Sequence, residues 1–340
     1  MQLNIDSSRG GNGDIWMRLV SFYSVAALVP ETKIGILIPA FLRNLTNYTF
    51  GDRITILTES DLIHLTYTSL GLKNLIGGIA QGKKYIAPYQ KAVINDKKTK
   101  QLKDVLNNGL FDIANTLGLI QVPPARYIAG YQGFLDIIGI KKLAAVQYHQ
   151  YVQQLIADHT AVSRRLQATL PTSPQLVLPA DLSTSVVVFP TGTSRQFVPV
   201  WWAAQHLPNA YYAFFYKDAD ALPFEDHGLK TIKFYHEPGD IIHLSHQANY
   251  TITTDSFPSH LLQYATSRCT VTITEVLKSR IISPAFKGTV VNATAPCHPC
   301  LHLDRKNHPL CAAGHAECIN WKNSQYTQQI LASIPRQVFA

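Results

Sequence analysis

The spacing of apolar positions along this chain switches repeatedly between the two periods that mark strands and helices. The opening QLNID alternates like a short strand, SSRGGNG is glycine-rich enough to be a loop, and DIWMRLVSFYSVAAL carries apolar residues at helical spacing. KIGILIPAF then reads as one continuous apolar strand buried on both faces, and DRITILT as a further strand. Doubly buried strands separated by helices predict a parallel sheet. From about Lys141 to Leu170 the pattern is long, helical and rich in polar residues. TLPTSPQLVLPADLSTS follows, and its three prolines and small polar residues are the composition of an interdomain linker.

A second alternation begins at once. SVVVFP, YYAFFYK, LKTIKFYHE, YTITT and CTVTITEV are strand-like, with the helical patterns VWWAAQHL, DIIHLSHQA and SHLLQYATS between them. The expected architecture is α/β: two doubly wound domains, residues 1–170 and 171–340, facing each other across a cleft. Such sheets bind ligands beyond the carboxyl ends of their strands. NSQYTQQILASI closes the chain as an amphipathic helix able to pack on either domain.

Bulk properties narrow the picture without choosing a ligand. A chain of 340 residues exceeds the size of a single core, and 46% hydrophobic with 15% charged residues describes an ordered globular protein. No apolar run approaches the roughly 18 residues of a membrane helix. The first residues lack the basic, apolar and cleavage elements of a secretory signal, so a cytoplasmic protein is expected. The Asn-x-Ser/Thr matches at Asn44, Asn47, Asn249 and Asn292 carry no weight in that compartment. A net charge of +8 favours anionic partners: nucleotide phosphates, phosphorylated glycolipid, a membrane surface or nucleic acid. The densest basic stretch, Lys83 to Lys103, is either a solvated face or a surface for docking an acceptor.

Three segments carry candidate chemistry. RGGNGD, Arg9 to Asp14, places Gly11 and Gly13 after a strand and before a helix, where backbone and helix N-terminus can approach negative charge. It satisfies neither the dinucleotide fingerprint nor the Lys-containing phosphate loop. Asp14, at or near the N-cap, is a helix cap or a general base. TTDSFPSH, Thr253 to His260, puts Asp255, Ser256 and Ser259 where a helix leaves a strand's carboxyl edge, with Pro258 suited to the first turn. It is an ordinary capped turn or a diphosphate cradle. Cys297, Cys300, Cys311 and Cys318 are spaced C-x2-C-x10-C-x6-C, four of the five cysteines within 22 residues. In a cytoplasmic chain that spacing suggests structural zinc or iron, with disulfides or free thiols as the alternative and His298, His302, His308 and His315 as substitute ligands. Cys269, alone in an apolar strand, is core.

In this order the pieces resemble glycosyltransferase family 9, the heptosyltransferase-like enzymes of bacterial surface glycan synthesis. VVVFPTGTSRQFVPVWWAAQ is similar to the family's strand, loop, basic residue and Trp-Pro element, and TTDSFPSHLLQYA to its Asp-Ser-Gly-Pro-x-His element. CHPC with Cys311 and Cys318 looks like the terminal cysteine cluster of many members, including the autotransporter-type heptosyltransferases with a four-Cys metal site. GNGD matches a Gly-Asp element near the start; residues 55 to 170 contribute nothing specific. The resemblance implies two Rossmann-like domains of the glycosyltransferase B type and inverting transfer from a nucleotide sugar, an ADP-sugar being favoured. The acceptor would be a glycan, glycolipid or protein, with peripheral membrane association consistent with a glycolipid. It implies Asp14 as general base and Arg195, where the family often has Lys, as neutraliser of the donor diphosphate. Thr191, Gly192, Thr193, Asp255, Ser256, Phe257, Ser259 and His260 fall in donor-binding loops. Phe257 stands where the family has Gly, and Arg195 keeps the charge of Lys but prefers a bidentate geometry.

Transfer of this kind needs a deprotonated acceptor hydroxyl and neutralisation of the departing diphosphate, with no catalytic metal. A dehydrogenase or epimerase would need the missing fingerprint. A non-catalytic, metal-stapled binding protein for nucleotide sugar, glycan or nucleic acid remains the second reading.

Overall fold

The computed structural model describes residues 2–8, 11–28, 30, 33–58, 62–64, 84–88, 145–168, 170–191, 198–273, 281–283, 285–292 and 321–335. These form two compact units: those up to residue 88 with 145–165, and those from Leu166 onward.

The first unit is built on five parallel strands: β1 (Gln2–Asp6), β2 (Lys33–Leu37), β3 (Ile54–Ile56), β4 (Leu62–His64) and β5 (Lys84–Pro88). Their order is β3-β2-β1-β5-β4. Helix α1 (Asn12–Leu28) follows β1 and is apolar nearly all round, which is the pattern of a helix enclosed in the core. Ile15, Trp16, Leu19, Val20, Phe22 and Tyr23 are each fully buried. The glycine loop is shorter than its composition suggests, because Asn12 and Gly13 already belong to α1. The strand read from KIGILIPAF also stops early, at Leu37. Pro39 has no N–H for a ladder bond and its fixed φ suits a helix start, so Ala40–Phe50 form α2 instead. That helix buries Leu42, Leu45, Thr46, Thr49 and Phe50, a stripe at helical spacing. Phe50 lies 5.2 Å from both Trp16 and Tyr23.

Helix α3 (Ala145–Leu166) is held to this unit by charge. Arg165 grips Asp52 through two bonds of 2.8 and 2.9 Å and donates to the Thr49 carbonyl. Arg53 reaches the buried Asp158 at 2.8 Å while lying 4.1 Å over the Tyr23 ring. Tyr23 in turn donates to Asp52, 3.0 Å away. The Arg165 bonds hold the Asp52 carboxyl below its usual range, and burial raises the Tyr23 hydroxyl.

The second unit contains six parallel strands: β6 (Val186–Phe189), β7 (Tyr211–Phe215), β8 (Lys230–Phe234), β9 (Tyr250–Thr254), β10 (Cys269–Ile273) and β11 (Thr289–Asn292). The order β8-β7-β6-β9-β10-β11 is the doubly wound arrangement. Helices α4 (Val200–His206), α5 (Leu222–Asp226), α6 (Gly239–Gln247) and α7 (Phe257–Ala265) connect the strands. Strands β6, β9 and β10 are buried along their whole length, as a parallel sheet covered on both faces requires. Cys269 is fully buried in β10, where desolvation pushes its thiol up to about 12.

Helix α8 (Ser324–Ser333) packs on this second sheet. Tyr326 and Ile330 join the cluster of Val188, Trp202, Tyr212 and Phe214, and the Trp202 indole donates to Thr327 at 2.8 Å. The preceding Trp321 sits edge-on to Trp202 at 5.0 Å. The segment read as a linker is also sewn to this unit. Ser173 N–H donates to the buried Asp240 at 2.7 Å, and Pro171 packs so closely on Gly239 that a Cβ there would lie 1.9 Å from its carbonyl oxygen. Among the described residues no helix is long and apolar enough to cross a membrane.

Candidate functional site

In the second sheet the strand order reverses between β6 and β9, and a doubly wound sheet opens a ligand crevice at the carboxyl ends of such a pair. The parallel register sets Phe189 opposite Thr253. The chain therefore leaves β6 at Pro190 and Thr191 beside the point where it leaves β9 at Asp255 and Ser256. Two segments more than sixty residues apart in sequence, singled out separately, meet at this reversal.

The β9 side is a strand-to-helix corner built on serine chemistry. Ser256 is the extended N-cap of α7. Its hydroxyl donates back to Thr254 at 3.2 Å, its N–H reaches Ser259 Oγ at 3.3 Å, and Ser259 Oγ donates to the Ser256 carbonyl at 2.8 Å. Phe257 and Pro258 occupy the first turn, Phe257 half-buried. His260 directs Nε2 at Asp255 Oδ1, 3.3 Å away, with both side chains largely enclosed. The inner atoms are not all satisfied. His260 Nδ1 and the fully buried Thr254 Oγ1 have no hydrogen-bond partner among the described residues. Buried polar atoms are normally paired, so such orphans at a sheet's ligand-binding edge mark where a partner enters.

On the β6 side, Thr191 donates its hydroxyl to Asp218 Oδ2 at 3.0 Å, and Asp218 Oδ1 accepts from the Asp220 N–H at 3.1 Å. Asp218 lies just beyond β7, so one carboxylate ties together the ends of two neighbouring strands. Sequence reading passed over it. The available signal was an acidic residue three positions past the end of an aromatic strand. Burial and the Asp218 charge raise the Asp220 carboxyl.

In the first unit the order reverses between β1 and β5. Asp14 stands at the corresponding β1 edge, half-buried in the first turn of α1, three residues past the N-cap position, which Gly11 occupies, and not at the cap expected for it. Its carboxylate folds over the exposed Gly11, 3.8 Å from where a Cβ there would be. Gly13 is buried inside the helix. Ser7, at the end of β1, is buried with its hydroxyl lacking a partner among the described residues.

Gly192, Thr193 and Arg195 lie outside the described residues, as do Cys297, Cys300, Cys311 and Cys318 and the side chains of the Lys83 to Lys103 stretch. Among the described residues no cluster of His, Cys, Asp or Glu could hold a metal.

No family profile matches the chain, and no curated protein matches it in sequence. Among solved structures it is similar to the E. coli heptosyltransferase WaaC with ADP, at 10% identity and a TM-score of 0.48, over 86% of this chain and 94% of that one. It is similar to the E. coli ADP-heptose lps heptosyltransferase II, at 12% identity and a TM-score of 0.47, over 100% of this chain and 99% of that one. A glycosyltransferase of family 9 from Veillonella parvula follows at 12% identity and a TM-score of 0.45, over 86% and 87% of the two chains. The α/β class of the present chain rests on its own two parallel sheets.

Proposed function

We propose that this chain is a cytoplasmic glycosyltransferase that moves a sugar from a nucleotide-sugar donor to a hydroxyl of a glycan, glycolipid or protein, with inversion and without a catalytic metal. The observation that supports the reading most is the emergence of the β6 and β9 carboxyl ends side by side at the reversal of the second sheet, with His260 Nδ1 and Thr254 Oγ1 orphaned on the β9 side. A helix N-terminus beside polar atoms that lack partners is a setting for an anionic ligand.

In this reading Asp14 takes the proton of the acceptor hydroxyl. The acceptor oxygen bonds to the sugar's reactive carbon as the bond from that carbon to the diphosphate breaks, and the diphosphate departs with the electron pair. Arg195 and the first turn of α7 offset the charge gathering on the leaving group. Asp255, held by His260, faces the donor. Heptose on an ADP carrier is the donor that the sequence resemblance implies. Cys297, Cys300, Cys311 and Cys318 would hold zinc or iron, and four thiolates leave no open coordination position, so that metal is structural.

The test is calorimetric titration with ADP-, GDP-, UDP- and CDP-sugars, followed by a transfer assay. Selective binding of one donor, lost in Asp255→Ala, with turnover lost but binding kept in Asp14→Asn, is expected. No binding of any nucleotide sugar refutes the reading; binding with no turnover on any acceptor class identifies a binding protein.

A further inference from the structure

The carboxyl edge of the second sheet carries a pile of rings that the transfer chemistry leaves unused. Strand β7 runs out through Phe215 and Tyr216, and β8 through Phe234, Tyr235 and His236. Tyr216 stacks on Tyr235 at 5.2 Å and 24°, and its hydroxyl lies 3.0 Å from His236 Nε2. Phe215 meets the His236 ring at 5.2 Å and Phe234 at 6.0 Å. The buried Phe189, last residue of β6, packs on Phe234 at 5.9 Å, so the pile is continuous with the reversal point. Four of the outer rings are half-buried and His236 is exposed, although a core would enclose them all.

These rings are held in place. The Tyr235 N–H donates to Asp240 at 2.8 Å, and Asp240 is fully buried. Tyr216 has both Tyr235 and the Lys217 ammonium, 5.1 Å from its centroid, as neighbours. Among the described residues Tyr216 is the one ring against Tyr235.

In a doubly wound sheet that binds a nucleotide, the phosphates sit at the first strand's loop and an acidic residue beyond the second strand meets the ribose. Here Thr191 ends the first strand of this sheet and Asp218 follows the second, joined at 3.0 Å. The next position outward along the edge is the aromatic pile. We infer that Tyr235 stacks on the heterocyclic base of the nucleoside diphosphate, with the Tyr216–His236 pair setting the tilt of the platform. Flat rings accept any base by its face, and removing one such ring weakens binding by roughly tenfold. The inference rests on the donor reading above.

Titration of the full chain with ADP, UDP and inorganic pyrophosphate separates the two. Wild type is expected to bind the nucleoside diphosphates at least about tenfold more tightly than pyrophosphate. Tyr235→Leu should lose about that factor for both nucleotides and nothing for pyrophosphate, while Tyr235→Phe retains nucleotide affinity and thermal denaturation shows both variants folded. Nucleotide affinity unchanged in Tyr235→Leu overturns the base subsite and leaves the donor site standing. Failure of nucleotides and pyrophosphate alike overturns both.

Discussion

Replacing Asp240 with Ala should unfold the second unit at markedly lower temperature. The carboxylate has no solvent exposure and accepts two backbone N–H groups, Ser173 at 2.7 Å and Tyr235 at 2.8 Å. Hydrogen bonds to a buried charge contribute about 1.5–3 kcal/mol each, so the pair contributes roughly 3–6 kcal/mol. Removing the charge also removes its desolvation penalty, which offsets part of this, and a net loss of about 3 kcal/mol remains. For a unit of this size that is a fall of roughly 6–12 °C in Tm. Asp240→Asn keeps one acceptor oxygen and should fall about half as far. Circular dichroism melts of both variants, with the exposed Asp226→Ala as control, give the comparison. A change within about 0.5 kcal/mol of wild type for Asp240→Ala would refute the claim that this carboxylate fastens the linker segment at Ser173 to the end of β8.

Three further outcomes are expected. Arg53→Met leaves the buried Asp158 carboxylate without its cation and should destabilise the first unit by about 3–5 kcal/mol, more than Asp158→Asn, in urea titrations. Burial lowers His159 to about 4 against 6.5 unfolded, so between those values the unfolded chain binds a proton that the folded chain refuses. Stability therefore falls as pH drops through that window and levels off below it. At pH 5 the loss attributable to this residue is about 2 kcal/mol, read as the difference in pH dependence between wild type and His159→Leu. Cys297→Ser with Cys300→Ser should lose metal, measured by elemental analysis, together with thermal stability; no metal in either protein removes the zinc or iron site.

Much of the second unit was legible because its signals are local. VVVF, YYAFF and CTVTI are short β-branched or aromatic runs between turn residues, and each is a strand where the pattern put it. In KIGILIPAF hydrophobicity alone misled, since apolar residues on either side of Pro39 serve a strand and then a helix. Strand β11, only four residues long and exposed at its first position, offers too little pattern to be recognised. Asp14 was singled out because glycines flag a close backbone approach, whereas Asp218 was passed over, since an acidic residue after a strand usually means no more than a turn.

The sequence alone determined the period of each segment, the glycine and proline boundaries between most of them, and hence the α/β class, because these depend on neighbours a few residues away. Only the tertiary structure decided the strand order β8-β7-β6-β9-β10-β11, and with it the pairing of Phe189 with Thr253 that sets the ends of β6 and β9 side by side. The docking of α8 on Trp202 and the fastening of Ser173 to Asp240 were settled there too. Order and docking follow from which buried faces fit together across 60 to 130 residues of chain, and periodicity along the chain holds no record of that fit.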